Sequence, residues 1–337
     1  MLEVKVPQNL SLTNALSFCN RLWELEHSDG YNFNFINLGN IEPFSMAYVA
    51  NEIKRFRNSR PESRFVASNH ESKSYAAHMG FFKAFGLNYG NEPGEASGSS
   101  TYIPLTILNV SSLKEEAAAS YNHVGNIIED KSEEIAKVLT RHQSGDLVDT
   151  LTFSIREIMR NVVEHSGSEI IEYCAQYWPT KNLVEVAILD TGNGIKQGLS
   201  SNPYLAINDE REALHLALLP GISGKMYKGV KKRKHDEWQN SGFGLYMTSR
   251  ICRNGGSFFV ASNDKSILLD NKKKSDMECN YKGTALRLRI DTSKITSYSK
   301  MLEKFRNEGY ENAKKFSGSD AIEPSVASTM LARDFQV

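Results

Sequence analysis

The sequence predicts an α+β chain organised as two units, and three observations predict it. Over residues 1–110 short alternating strands and amphipathic helices follow one another, the order of an α/β layer. Over residues 145–292 an amphipathic helix precedes a buried strand, a glycine-containing loop that opens another helix, and two further strands. The length, 337 residues, suits about two domains, each large enough for its own core.

Composition works mainly by exclusion. Lysine plus arginine equals aspartate plus glutamate at 40 each, so no net field draws nucleic acid or an anionic membrane. No apolar run reaches bilayer length, and no membrane partner is expected. Residues 1–7 alternate like a strand and do not open a signal peptide. Cys19, Cys174, Cys252 and Cys279 show no paired ligand spacing, the pattern of a reduced, cytoplasmic protein without zinc.

Leu2, Val4 and Val6 make the first strand. Asn9 or Ser11 caps a helix running to Leu25, with Leu12, Ala15, Leu16, Leu22 and Trp23 inward. A strand at 31–38 meets a turn at Gly39-Asn40, and a helix over 46–56 stops before Pro61. A strand at 64–67, a helix over 76–85 ended by Gly86, an exposed loop at 90–100 and a strand at 102–110 complete the unit. His70 and His78 read as surface or satisfied core residues.

This order, with the loop Gly39-Asn40-Ile41-Glu42-Pro43-Phe44-Ser45-Met46, resembles the STAS fold of anti-sigma-factor antagonists. That family carries Asp-Ser or Ser-Ser before a glycine in its switch loop. Glu42-Pro43-Phe44-Ser45 departs from the pattern, so this unit reads as an interaction domain without chemistry at Ser45. Residues 111–144 form a charged helical connector, interrupted by Gly125, that also suits half of a homodimer. Its histidines, His123 and His142, lack the adjacent acidic residue of a phospho-accepting helix.

The second unit begins with a helix whose apolar stripe includes Phe153, Ile155, Ile158, Val162 and Val163. Glu157, Asn161 and His165 fall at i, i+4 and i+8 on its other face. A carboxylate and a carboxamide in such a row suit a hydrated magnesium ion, the amide oxygen holding it and the carboxylate orienting a water. An ordinary solvated polar face is the simpler account of the helix alone.

A buried strand at 183–189 then delivers Asp190-Thr191-Gly192-Asn193-Gly194-Ile195. An acid at a strand end followed by glycines lets the backbone turn beside a flat ligand, although Asp-Gly turns are common in themselves. Residues 239–247 lead from a small-residue loop, Ser241-Gly242-Phe243-Gly244-Leu245, into a helix. Its open backbone N–H groups suit an anion. Strands follow at 257–262 and 282–290, the second placing Thr284 within reach of Asp190. Between these elements, residues 196–239 carry Gly221, Gly224 and Gly229 with Lys225, Lys228, Lys231, Lys232, Arg233 and Lys234. That insert suits a lid over polyphosphate, and equally a solvated face or a contact with nucleic acid.

Each element is bland alone, but their succession resembles the GHKL ATPase superfamily of gyrase, histidine kinases and MutL, over about residues 145–292. The resemblance implies a Bergerat-fold α/β sandwich binding ATP and Mg2+. It implies Asn161 as the magnesium ligand and Glu157 as catalytic base, with His165 near the phosphates. It further implies that Asp190 accepts from the adenine amine, with Gly192, Gly194 and Ile195 in close approach and Thr284 assisting. Ser241, Gly242, Phe243, Gly244 and Leu245 are implied as the phosphate cradle.

Three functions fit: an ATP-hydrolysing switch that acts on protein partners through the amino-terminal unit and lid, a serine kinase of the anti-sigma type acting on a STAS-like partner, or a non-hydrolysing nucleotide sensor. The carboxy-terminal tail, 293–337, carries Met301, Leu302 and Phe305 on a helix. Val326, Met330, Leu331 and Phe335 suggest a last short helix docking on the body or on a partner.

Overall fold

The computed structural model describes residues 1–99, 101–230, 237–317 and 321–335, and it is α+β. In the amino-terminal unit, β1 (Leu2–Lys5), β2 (Asn9–Leu10), α1 (Leu12–Trp23), β3 (Gly30–Asn34), β4 (Asn40–Ile41), α2 (Pro43–Asn58) and β5 (Arg64–Ser68) alternate. Strands β1, β3 and β5 form a parallel sheet in that order, and β2 and β4 make a small parallel pair. The strand expected to reach residue 38 stops at Asn34. Its Oδ1 accepts from the Ile36 N–H, and Leu38 N–H turns back to the Phe35 carbonyl. The helix expected over 76–85 is two pieces, α3 (Ser74–His78) and α4 (Phe81–Ala84). Gly80 between them takes φ +83°, a conformation that breaks the helical path.

The larger sheet runs β11-β10-β9-β12-β8-β7-β6, with every neighbouring pair antiparallel. Its strands are β6 (Tyr102–Asn109), β7 (Ile170–Trp178), β8 (Leu183–Asp190), β9 (Ser257–Ser262), β10 (Lys265–Asp270), β11 (Lys274–Glu278) and β12 (Thr284–Asp291). The expected boundary at residue 110 is therefore corrected: β6 pairs with β7 and belongs to this sheet. The segment expected as a connector forms α5 (Val110–Ala119) and α6 (Val124–Thr140). Both pack in the same core as α7 (Asp146–Asn161), α10 (Gly244–Cys252) and α11 (Tyr298–Ser317).

Strand β8 shows why its run reads as continuously apolar. Val184, Val186 and Ile188 face the helical layer, whereas Ala187 and Leu189 face α2 and the amino-terminal core. The sheet is thus buried on both sides, by α5–α7, α10 and α11 on one and by α2 on the other. The second seam is also ionic. Glu185, fully buried, accepts from the Arg287 Nε at 2.9 Å and from the Phe44 N–H at 3.2 Å, and Arg287 reaches Glu42 at 3.1 Å.

The tail ends in a 3-10 turn, Ala332–Asp334, and the expected helix over 326–335 does not form. Among the described residues no helix is long and apolar enough to cross a membrane.

Candidate functional site

The long helix α7 supplies the first residues of the site. Its sequence keeps Ile155, Ile158 and Met159 in the core, and its amino-terminal turn carries Asp146 and Asp149 beside the helix dipole. After Asn161 the helix passes into a π-helical turn, Val162–Ser166, which carries His165. The expected straight row from Glu157 to His165 is therefore broken by a wider turn, yet all three residues line one cleft. That cleft contains about 930 Å³ of empty space including its open mouth.

Asp190 closes the cleft floor at the end of β8 and is 2% exposed. The register pairs it with Thr284 at the start of β12. Burial pushes its carboxyl up to about 6, against hydrogen bonds from the Gly192 N–H and from Thr284. The Gly192 N–H lies 2.8 Å from Asp190 Oδ1. Gly192 itself stands behind Asp190, where a Cβ would come 2.2 Å from the Ser166 carbonyl oxygen. Gly194 and Ile195 reach the cleft at the start of α8 (Gly194–Leu199).

Glu210, at the start of α9 (Glu210–Ala217), secures that turn. Its Oε1 accepts from Ser262 Oγ at 2.5 Å and from Asn263 Nδ2 at 2.9 Å, and Ser262 Oγ accepts from the Ile195 N–H at 2.8 Å.

Gly242, Gly244 and Leu245 also line the cleft, where α10 starts without a side-chain cap. Gly242 has φ +74°, and a Cβ there would stand 2.3 Å from the Ile222 carbonyl oxygen. At Gly244 a Cβ would stand 2.1 Å from Glu157 Oε2, so only glycine lets this helix end approach that carboxylate. Two expected cradle residues do not line the cleft. Phe243 is fully buried in the core, 6.4 Å edge-on from Tyr246, so only its backbone belongs to the loop. Ser241 turns away to hydrogen-bond Ser325 and Ser328 of the tail, each at 3.1 Å.

Glu157, 4% exposed, is less open than its expected role as base suggests. Its Oε1 accepts from Arg156 Nη2 at 2.9 Å, Arg156 Nε at 3.2 Å and Arg160 Nη1 at 3.4 Å. His165 pairs through Nε2 with Asn240 Nδ2 at 2.6 Å. Burial, with Lys225 and Arg160 nearby, pushes its imidazole down to about 3, so it is neutral and Nε2 is the acceptor.

The expected lid is more built than a loop. It contains most of α8 and all of α9, and its Ile222, Ser223 and Gly224 line the cleft. Lys225 Nζ donates to the Glu164 carbonyl, while Lys231, Lys232, Arg233 and Lys234 lie outside the described residues. Among the described residues no cluster of three or more His, Cys, Asp and Glu side chains could hold a metal ion.

Sequence reading missed Arg156, Arg160, Asn240 and Ser328. Two arginines bracketing Glu157 on an otherwise apolar helix were the available signal for the first pair. Nothing local announces Ser328, which reaches the cleft from the far end of the chain. No protein-family model matches this chain, and no curated protein matches it.

Proposed function

We propose that the chain is a Mg-ATP-binding switch with a GHKL-like, Bergerat-type nucleotide site. One observation carries the reading. Asn161, the Asp190–Thr284 pair and the Gly242–Leu245 helix start come from four separate segments and face one cleft. An acid at the floor offers an acceptor to an exocyclic amine, and an uncapped helix start offers N–H groups to phosphate.

Magnesium usually leans on one or two protein ligands and on the phosphates of its substrate. In this reading the Asn161 amide oxygen is the protein's share. When bound, the ion would neutralise phosphate charge. Asp190 would orient the base, Gly242 and Gly244 would admit the phosphates closely, and neutral His165 would hold Asn240 against the loop. Glu157 would act as proton acceptor once released from Arg156 and Arg160. The amino-terminal unit, fixed to the sheet through α2, would carry changes in the site to a protein partner.

A serine kinase of the anti-sigma type is the second reading, favoured by the resemblance of the amino-terminal strand–helix order to its usual partner. Labelled Mg-ATP separates the possibilities. The switch releases free phosphate, the kinase transfers it to serine or threonine of an added STAS-type protein, and a sensor retains ATP intact. Release that survives Glu157→Gln would remove Glu157 as the base.

A further inference from the structure

The carboxy-terminal segment 321–335 reaches the cleft lining through Ser328. This segment is docked, with Ala327, Ser328 and Leu331 at 0%, 3% and 2% exposure. Its Ala327 N–H donates to the Glu237 carbonyl at 3.0 Å, and its Phe335 ring meets Trp238 at 5.3 Å. Ser325 and Ser328 hydrogen-bond Ser241 in the loop that opens α10. The strap therefore grips the two ends of residues 237–241, immediately before the helix start.

It also grips Arg156, which is fully buried. Arg156 Nη1 donates to Glu129 and, at 3.0 Å, to the Met330 carbonyl. Arg156 Nη2 donates to the Ala327 carbonyl and, at 2.9 Å, to Glu157 Oε1. Glu129 in turn accepts from the Ala332 N–H at 2.7 Å. The strap's carbonyls thus fix the plane of the guanidinium whose remaining N–H groups occupy Glu157. Three N–H donors on Oε1 hold the carboxylate back toward the arginines, and Oε2 lies on the side of Gly244 at the start of α10.

We infer that Arg156 is a positioning residue that keeps Glu157 out of use, and that the docked strap holds Arg156 in that pose. Lifting the strap then turns hydrolysis on. Without the Ala327 and Met330 carbonyls, Arg156 faces water, where an arginine–carboxylate pair is weak and the side chain can turn outward. This rests on the nucleotide reading of the cleft, with Glu157 as its base.

The test compares the full chain with one ending at residue 320, measuring phosphate release from Mg-ATP and, separately, calorimetric affinity for Mg-ADP. Truncation is expected to raise kcat by at least roughly tenfold, part of the 10²–10⁴ that a general base contributes, with affinity little changed. Adding Glu157→Gln should abolish the gain. A full-length chain carrying Phe335→Ala and Ser325→Ala should show a smaller rise, and it decides the matter if the truncated chain does not fold. A rise in kcat with Mg-ADP affinity unchanged reports a faster chemical step, because faster product release from a more open cleft would weaken Mg-ADP binding. Equal or lower kcat with Mg-ADP still bound overturns the inference. Absence of Mg-ADP binding in every form overturns the nucleotide reading itself, and the strap with it.

Discussion

Asp190 and Thr284 stand opposite each other across two antiparallel strands, the carboxylate of one hydrogen-bonded by the other. This pairing sets the chemistry of the cleft floor: an acid buried deeply enough that its proton equilibrium lies near 6. Only the ionised form accepts from an exocyclic amine without competition from its own proton.

Asp190→Ala should therefore weaken Mg-ATP binding by roughly 1.5–3 kcal/mol, about ten- to a hundred-fold, while leaving the circular-dichroism spectrum unchanged. Equal affinity in a folded variant would contradict this role.

Affinity should also fall with pH. Because ionised Asp190 is the binding form, wild-type affinity should drop about tenfold per pH unit below about 6. ATP titrates in the same range, so Asp190→Asn supplies the reference. Subtracting its profile should leave the Asp190 contribution, and identical profiles would exclude one.

His165 links folding itself to pH. Its imidazole is pushed down to about 3 in the fold, whereas in the unfolded chain it titrates near 6.5. The unfolded state therefore gains protons first as pH falls, and stability is lost from about 6.5 downward. Urea unfolding at pH 7 and pH 5 should show His165→Gln losing less stability than wild type on acidification, by up to about 2 kcal/mol. An equal loss in both would mean that His165 charges within the fold.

Arg287→Met should destabilise the whole chain by about 3–5 kcal/mol, because Glu185 is fully buried and would lose its guanidinium partner. The seam joins the sheet to α2, so denaturation followed by Trp23 and by Trp178 should shift together. A shift confined to one probe would show that the two units unfold separately.

Gly244→Ala should disrupt both helix start and acid, since its Cβ would press on Glu157 Oε2 at 2.1 Å. Expected outcomes are a stability loss of about 1–3 kcal/mol and weaker nucleotide binding, read by thermal unfolding and calorimetry. A neutral effect on both would show that the Glu157 side chain is not confined.

Much of the site was legible because its residues sit where local signals are strong. Asp190 ends an apolar strand, Gly244 opens a helix, and Glu157 and Asn161 are one turn apart. His165 shares the cleft with Glu157 and Asn161 although no periodicity marks the π-helical turn that carries it. Ser241 and Phe243 were misread because a loop motif does not say which way each side chain points. One is drawn to the strap and the other into the core.

Strands β10 and β11 escaped notice. Lys274, Asp276 and Glu278 break the apolar pattern of β11, an edge strand with exposed residues. The boundary at 110 failed because β6 looks like a continuation of the first unit but pairs with β7, about seventy residues later. Long-range pairing of that kind, like the docking of 321–335 on Arg156, leaves little trace in a local pattern.

The most direct measurement of the central claim is isothermal calorimetry of the full chain with Mg-ATP, Mg-ADP and Mg-GTP. The account predicts saturable binding of both adenine nucleotides, at least roughly tenfold tighter than GTP because guanine presents an oxygen where adenine presents its amine to Asp190, with the preference lost in Asp190→Ala. No heat of binding for either adenine nucleotide from folded protein would contradict it.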